Sequence, residues 1–176
     1  MKKRFSWILA IALVLSLAVC SFAAADDFTE FTMQQFHYKM WSSWQVVESE
    51  PTTHYFYEDS VNNPMVGYIA VQIQSVDASQ AGAFDTLMDE MILGMIVSGM
   101  GDSLSVTFDT SMGTYGELTG MLFSGKWSSM SSDIVGFVCR DGRDFFFIMY
   151  ADNNSSVEEM TRELTEVLLP EVTIEK

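Results

Sequence analysis

The sequence predicts an α+β fold in which an antiparallel β-sheet is flanked by helices. Two stretches, 36–76 and 104–151, are rich in aromatic and β-branched residues broken by turn signals, as strands are. Between them, Phe84, Leu87, Met88, Met91, Ile92, Met95 and Ile96 recur at offsets of three and four, the spacing of a helix face. A second helical stripe follows the last strand, and that order suits a sheet with helices packed against it.

Phe36–Met40, Trp44–Glu48, His54–Glu58 and Val66–Val76 are expected as strands of an antiparallel meander, with a turn at Val61-Asn62-Asn63-Pro64. Asp77 or Ser79 caps the first helix, and Gly99 and Gly101 let the backbone leave it near Met100. Leu104–Asp109, Tyr115–Trp127, Ile134–Arg140 and Asp144–Ala151 follow as strands, the last two joined by a tight turn at Asp141-Gly142. Phe145–Tyr150 is apolar throughout, so this strand is expected to be covered on both faces. Ser155-x-x-Glu158 and Ser156-x-x-Glu159 are overlapping capping boxes. They precede the stripe Val157, Met160, Leu164, Val167 and Leu168, which Pro170 ends.

The 176 residues are 48% apolar and 19% charged, a balance that excludes disordered and collagenous polymers. Lys2, Lys3 and Arg4 precede an apolar run from Ile8 to Val19 and the small-residue pattern Ala23-x-Ala25, so residues 1–25 are expected to be a secretory signal. The run is shorter than the roughly 20 residues of a spanning helix, and no later segment reaches that length. Residues 26–176 then form a single secreted or extracytoplasmic domain. A lipid anchor at Cys20 is the less favoured alternative, because Val19 is bulky where Leu17-Ala18-Val19-Cys20 would need a small residue. Losing the signal leaves six bases against 24 acids, which repels phosphate backbones and anionic lipid, so nucleic-acid binding is not expected. It also leaves Cys139 alone, so packing rather than a disulfide must hold the fold.

Phe36-His37-Tyr38-Lys39-Met40 followed by Trp44-Gln45-Val46-Val47, and Gly67-Tyr68-Ile69-Ala70-Val71 before the long helix, resemble the PsbP-like and Mog-like α/β/α sandwich family. The late paired strands and terminal helix extend the likeness over most of residues 34–172. Met40-Trp41 departs from the proline often found before the tryptophan. The resemblance implies an antiparallel sheet between helices. It also implies a binding or assembly role, since members include an extrinsic photosystem subunit and a partner of a small GTPase. Fold alone does not carry function across.

Catalytic motifs are absent. Cys139 with His37 or His54 is the nearest approach to a nucleophile and base, but Cys139 shares a strand face with Val135 and Phe137, where a thiol is core. Phe123-Ser124-Gly125 lacks the Gly-x-Ser-x-Gly elbow. Met88, Met91 and Met95 share a helix face that would suit Cu(I), yet Phe84, Leu87 and Ile92 lie in the same stripe and make it core. Asp152, Asn154, Ser156 and Glu158 are spaced like calcium-loop ligands, but Val157 stands where that loop needs glycine, and helix capping explains them. Gly99-Met100-Gly101 follows a helix instead of opening one, so it cradles no phosphate, and no cofactor is expected. Trp41, Trp44 and Trp127 could face sugars but more often fill cores.

The feature left unabsorbed is a second apolar face on the first helix, Leu93, Val97 and Met100, opposite the main stripe. It is expected to be covered by the chain itself or to contact a protein partner or second copy. The functional expectation is an exported, non-enzymatic binding or assembly module; the alternative is a secreted hydrolase whose cleft the sequence does not reveal.

Overall fold

Alternation along 28–41 produces the first hairpin: β1 (Phe28–Met33) and β2 (Phe36–Trp41) pair antiparallel from Phe28 opposite Trp41 to Met33 opposite Phe36. These belong to a computed structural model that describes residues 27–59, 62, 66–77, 109–127 and 131–176. The export segment, the helix expected from Ser79 to Met100 with its Leu93, Val97 and Met100 face, and the strand expected at 104–109, save its last residue, lie outside the described residues. So does the turn at 61–64, apart from Asn62.

β3 (Gln45–Glu50), β4 (Thr53–Tyr57), β5 (Tyr68–Ser75), β6 (Asp109–Tyr115), β7 (Leu118–Trp127), β8 (Ser132–Asp141) and β9 (Asp144–Ala151) form one antiparallel sheet in the order β3-β4-β5-β9-β8-β7-β6. Helix α1 (Val157–Glu163) passes through a π turn at Leu164–Leu168 and a 3-10 turn at Leu169–Glu171. The chain then ends in the short β10 (Thr173–Ile174), which joins β1 and β2 in a three-stranded sheet.

Four expectations are corrected. The described residues are β-rich, with one short helical stretch, so they do not support the helix-flanked α/β/α sandwich; against the large sheet stands a second sheet. Its hairpin turns at Gln34-Gln35, with Gln34 at φ 52°, and the missing Gly or Asn there hid β1 from the sequence. The meander starts at β3 rather than β2, because the Trp44 amide bonds back to the Trp41 carbonyl and turns the chain out of the first sheet. Tyr115–Trp127 is not one strand: Gly116, at φ 58°, bends the backbone between β6 and β7. The last helix is irregular from Leu164, since Pro170 has no amide to donate and its ring crowds the carbonyl four residues back.

The capping box uses Ser156, whose hydroxyl accepts from the Glu159 amide while the Glu159 carboxylate accepts from the Ser156 amide at 2.9 Å. The β8–β9 hairpin lies where the sequence put it, with Gly142 at φ 59° in its two-residue turn. β9, the middle strand of the large sheet, is buried on both faces as its apolar run implied. Phe146, Ile148 and Tyr150 meet Phe36, Tyr38 and Met40 of β2 and Met160, Leu164 and Leu168 of the helical stretch. Phe145, Met149 and Ala151 face the other way with Met121, Phe123, Ile134 and Val138. Phe123 lies so close over Gly136 that an added Cβ would stand 2.2 Å from its ring and 2.8 Å from the Ile148 carbonyl. Gly136→Ala therefore overpacks the sheet centre and is expected to cost about 1–3 kcal/mol, read as a lower denaturation midpoint in urea; an unchanged midpoint would show that the ring moves aside freely.

Candidate functional site

The residues from which a nucleophilic enzyme would be assembled do not converge. Cys139 is buried at 5% exposure beside Val135 and Phe137, as its strand alternation predicted. Burial, with the nearby Asp141 carboxylate adding to it, pushes its thiol up to about 12. His54, on β4, lies in the cross-strand row of Val71, Ile148 and Phe137, three strands from β8 and so about 14 Å across the sheet from the Cys139 strand. Its Nδ1 is hydrogen-bonded to the Tyr38 hydroxyl between the two sheets, with Phe31 and Phe56 edge-on to its ring. Burial lowers the His54 pKa and raises that of Tyr38, so the pair is neutral, with the phenol donating to the imidazole. His37 is on the smaller sheet, 3.0 Å from the Thr32 hydroxyl and 3.5 Å from the Glu175 carboxylate.

The calcium-like segment is spent on local turns. Asp152 accepts from the Asn154 amide at 2.7 Å and the Ser155 hydroxyl at 2.6 Å, while Ser156 caps α1. No group of three metal-ligating side chains occurs among the described residues. Leu93, Val97 and Met100 lie outside them, as do Met88, Met91 and Met95.

What the fold does assemble is a corner that the linear sequence concealed. The turn after β2 sets Trp41 and Trp44 against each other, ring centres 5.3 Å apart, and both rest on Tyr150 of β9, Trp44 edge-on at 5.8 Å. Both tryptophans are half-buried against the main core. Tyr150, itself buried, donates to the Glu163 carboxylate at 2.9 Å. Glu58, just past β4, bonds its amide to the Gly67 carbonyl, and its side chain crosses the open face of Gly67. A Cβ at Gly67 would stand 2.7 Å from the Glu58 carboxylate and 3.1 Å from the Trp44 ring, so glycine is what lets the two meet. Burial raises the Glu58 pKa, and Asp152, Glu163 and Asp59 raise it further by repulsion. Burial also raises that of Tyr150, followed by the charge of Glu163. Among the described residues Glu58, Asp152 and Glu163 form no ion pair.

A groove of about 400 Å³ lies between the small sheet and the helix, lined by Phe28, Glu30, Lys39, Glu166, Val167 and Glu171. Its lysine is committed to Glu171 at 2.8 Å, and that bond raises the Lys39 pKa. Of Trp127 only the backbone position is described, at the end of β7 opposite Ser132.

No protein-family model matches the chain, and no curated protein does. Its fold is similar to that of cyanobacterial PsbP (CyanoP) from Synechocystis sp. PCC 6803, with a TM-score of 0.56 and 7% identity over 88% of this chain and 96% of that one. A protein from Bacteroides thetaiotaomicron aligns at a TM-score of 0.49 and 13% identity over 81% of this chain; the match spans 46% of that protein's length. The PsbP-like architecture expected from the sequence is therefore present, in a more β-rich form. No helix among the described residues is long and apolar enough to cross a membrane.

Two predictions follow from the buried pairings. The folded chain favours neutral His54, so below the ordinary value of 6.5 the unfolded chain binds more protons. Stability is then full above pH 6.5 and falls as the pH drops toward the lowered folded value. His54→Gln, which can still accept from Tyr38, is expected to flatten the part of the urea midpoint's fall between pH 7 and 5 that His54 causes; an identical slope in the variant would contradict this. Cys139 is expected to resist thiol reagents at pH 8 until the sheet opens, and rapid labelling of the native chain would contradict its burial.

Proposed function

We propose that the chain is an exported, non-enzymatic binding or assembly module of the bacterial envelope or extracellular space. Its contact region in this reading is the Trp41–Trp44 corner, which receives a positively charged group of a partner. The corner itself carries the proposal: two half-buried indoles stand beside Tyr150, with the Glu58 carboxylate and the Tyr150-bonded Glu163 carboxylate around them, neither in an ion pair among the described residues. An indole face attracts a cation by about 0.5–2 kcal/mol, and adjacent carboxylates add to the attraction. The six bases against 24 acids left without the export segment steer basic partners toward the chain and anionic ones away. The N-terminal basic, apolar and small-residue regions support export.

A lysine-rich peptide is the direct probe. Calorimetric titration is expected to show binding that weakens with salt, and to show it roughly tenfold weaker in Trp44→Ala and in Glu163→Gln, which keeps an acceptor for Tyr150. Binding that both variants leave unchanged, or no binding at low salt, would remove the corner from the reading. The alternative of a secreted hydrolase would draw on Glu58, an exposed carboxyl lying over Gly67 at the corner, which partial burial and the charges of Asp152, Glu163 and Asp59 raise. Turnover of glycoside substrates that Glu58→Gln abolishes would replace the binding reading with that one.

A further inference from the structure

Sheet edges expose unpaired backbone groups, and proteins guard them with charge, bulges, proline or brevity. Three of the four edges among the described residues are guarded. β1 carries Glu30; β3 carries Glu48 and Glu50, shifts register between Val46 and Glu48, and runs into Pro51; β10 is two residues long. β6, Asp-Thr-Ser-Met-Gly-Thr-Tyr, has seven residues with an unbroken register against β7, and no charge, bulge or proline from Thr110 to Tyr115. Thr110, Ser111, Met112 and Thr114 are exposed, Met112 at 57%. Among the described residues β6 pairs only with β7.

The register determines which of its groups are free. Gly116-Glu117 is a two-residue turn, so Tyr115 and Leu118 are the hydrogen-bonded pair that closes it. Counting back by twos, Gly113 and Ser111 also bond toward β7, while the amides and carbonyls of Thr114, Met112 and Thr110 point outward. These three are symmetric about Met112. We propose that β6 pairs antiparallel with β6 of a second copy about a two-fold axis at Met112, joining the two large sheets into one. Thr110 of each copy then faces Thr114 of the other, and Met112 faces Met112. All three outward pairs are satisfied by about six backbone hydrogen bonds.

Self-complementarity selects a second copy as the occupant. The pairing sets threonine against threonine, a favourable cross-strand pair, and covers the exposed Met112 with its own equivalent. Asp109 falls opposite Tyr115, so no acid opposes an acid despite the acidity of the chain. Self-pairing of β3 would have to cross its register shift between Val46 and Glu48. With −15 on each copy, added salt screens the repulsion between them, so this association strengthens with salt where binding of a basic peptide at the tryptophan corner weakens.

Sedimentation of the whole chain is expected to give twice the mass of one copy, with the dimer fraction rising with concentration and salt. Thr110→Pro removes an outward amide that β7 does not use, and Met112→Lys sets like charges face to face on an exposed site. Each is expected to leave the circular dichroism spectrum and urea midpoint unchanged and to yield only monomer. Mixing Met112→Lys with Met112→Glu is expected to restore the dimer. Hydrogen exchange is expected to slow at the amides of Thr110, Met112 and Thr114 as the dimer forms. A monomer at every concentration and salt, or a dimer that survives both single substitutions, overturns the proposal; so does capture of a foreign strand on β6 by a chain that never pairs with itself.

Discussion

Burial of β9 on both faces is the constraint from which the rest of the architecture follows. A strand that reads Phe145-Phe146-Phe147-Ile148-Met149-Tyr150 has no side to turn to water, and the sheet responds by placing it between β5 and β8 at the centre. One face is closed when β2 lays Phe36 on Phe146, rings stacked at 5.0 Å, with Tyr38 edge-on to the same ring. Burying large aromatic side chains is worth about 1.5–3 kcal/mol apiece, so the small sheet and the C-terminal helix are held chiefly by what they cover. The opposite face shows how little slack this leaves, since Phe123 occupies the space where Gly136 has no side chain.

The tryptophan corner is a consequence of that closure. β2 crosses the large sheet in order to bury Phe36, Tyr38 and Met40, and its next residue, Trp41, arrives above the end of β9 with Trp44 one turn later. Tyr150 therefore has two duties: its ring belongs to the core, and its hydroxyl reaches the last residue of α1, Glu163. Anything that loosens β2 from β9 shifts the indoles and the carboxylate together, so the stability of the core and the shape of the corner are coupled.

The sequence disclosed what depends on local pattern and concealed what depends on distant pairing. The alternation that buries Cys139, the Gly142 turn, the apolar run of β9 and the Ser156 capping box are written in neighbouring residues, and each stands within a residue or two of its expected place. β1 leaves no signal because a glutamine at positive φ does not read as a turn; β6 leaves little because Thr110-Ser111-Met112-Gly113-Thr114 has no apolar run, and Tyr115 reads into β7 until Gly116 bends between them. The corner draws Trp41, Trp44, Glu58, Tyr150 and Glu163 from four separate elements. Gly67 stands at the start of a strand as the one local sign of it, and no neighbouring residue tells that Glu58 and Trp44 approach over it. Leu93, Val97 and Met100, the contact face that helical periodicity suggested, lie outside the described residues, so the corner and the β6 edge rest on different side chains altogether.

The two surfaces lie apart on the large sheet. The corner reaches from Glu58, just past β4, to Tyr150 of β9, and β6 is three strands from β9, about 14 Å at the usual strand spacing. That distance exceeds the Debye length of about 8 Å at physiological salt, so charge gathered at one surface is scarcely felt at the other. Two copies joined through β6 would carry one tryptophan corner on each half of a continuous sheet. Each corner would keep its access to water and to a basic partner, and a partner carrying two cationic segments would gain from effective concentration what a single contact lacks in strength. The distribution of charge fits this division: acids lie on β1, on β3 and at the corner, and none lies from Thr110 to Tyr115, where repulsion would prevent self-pairing.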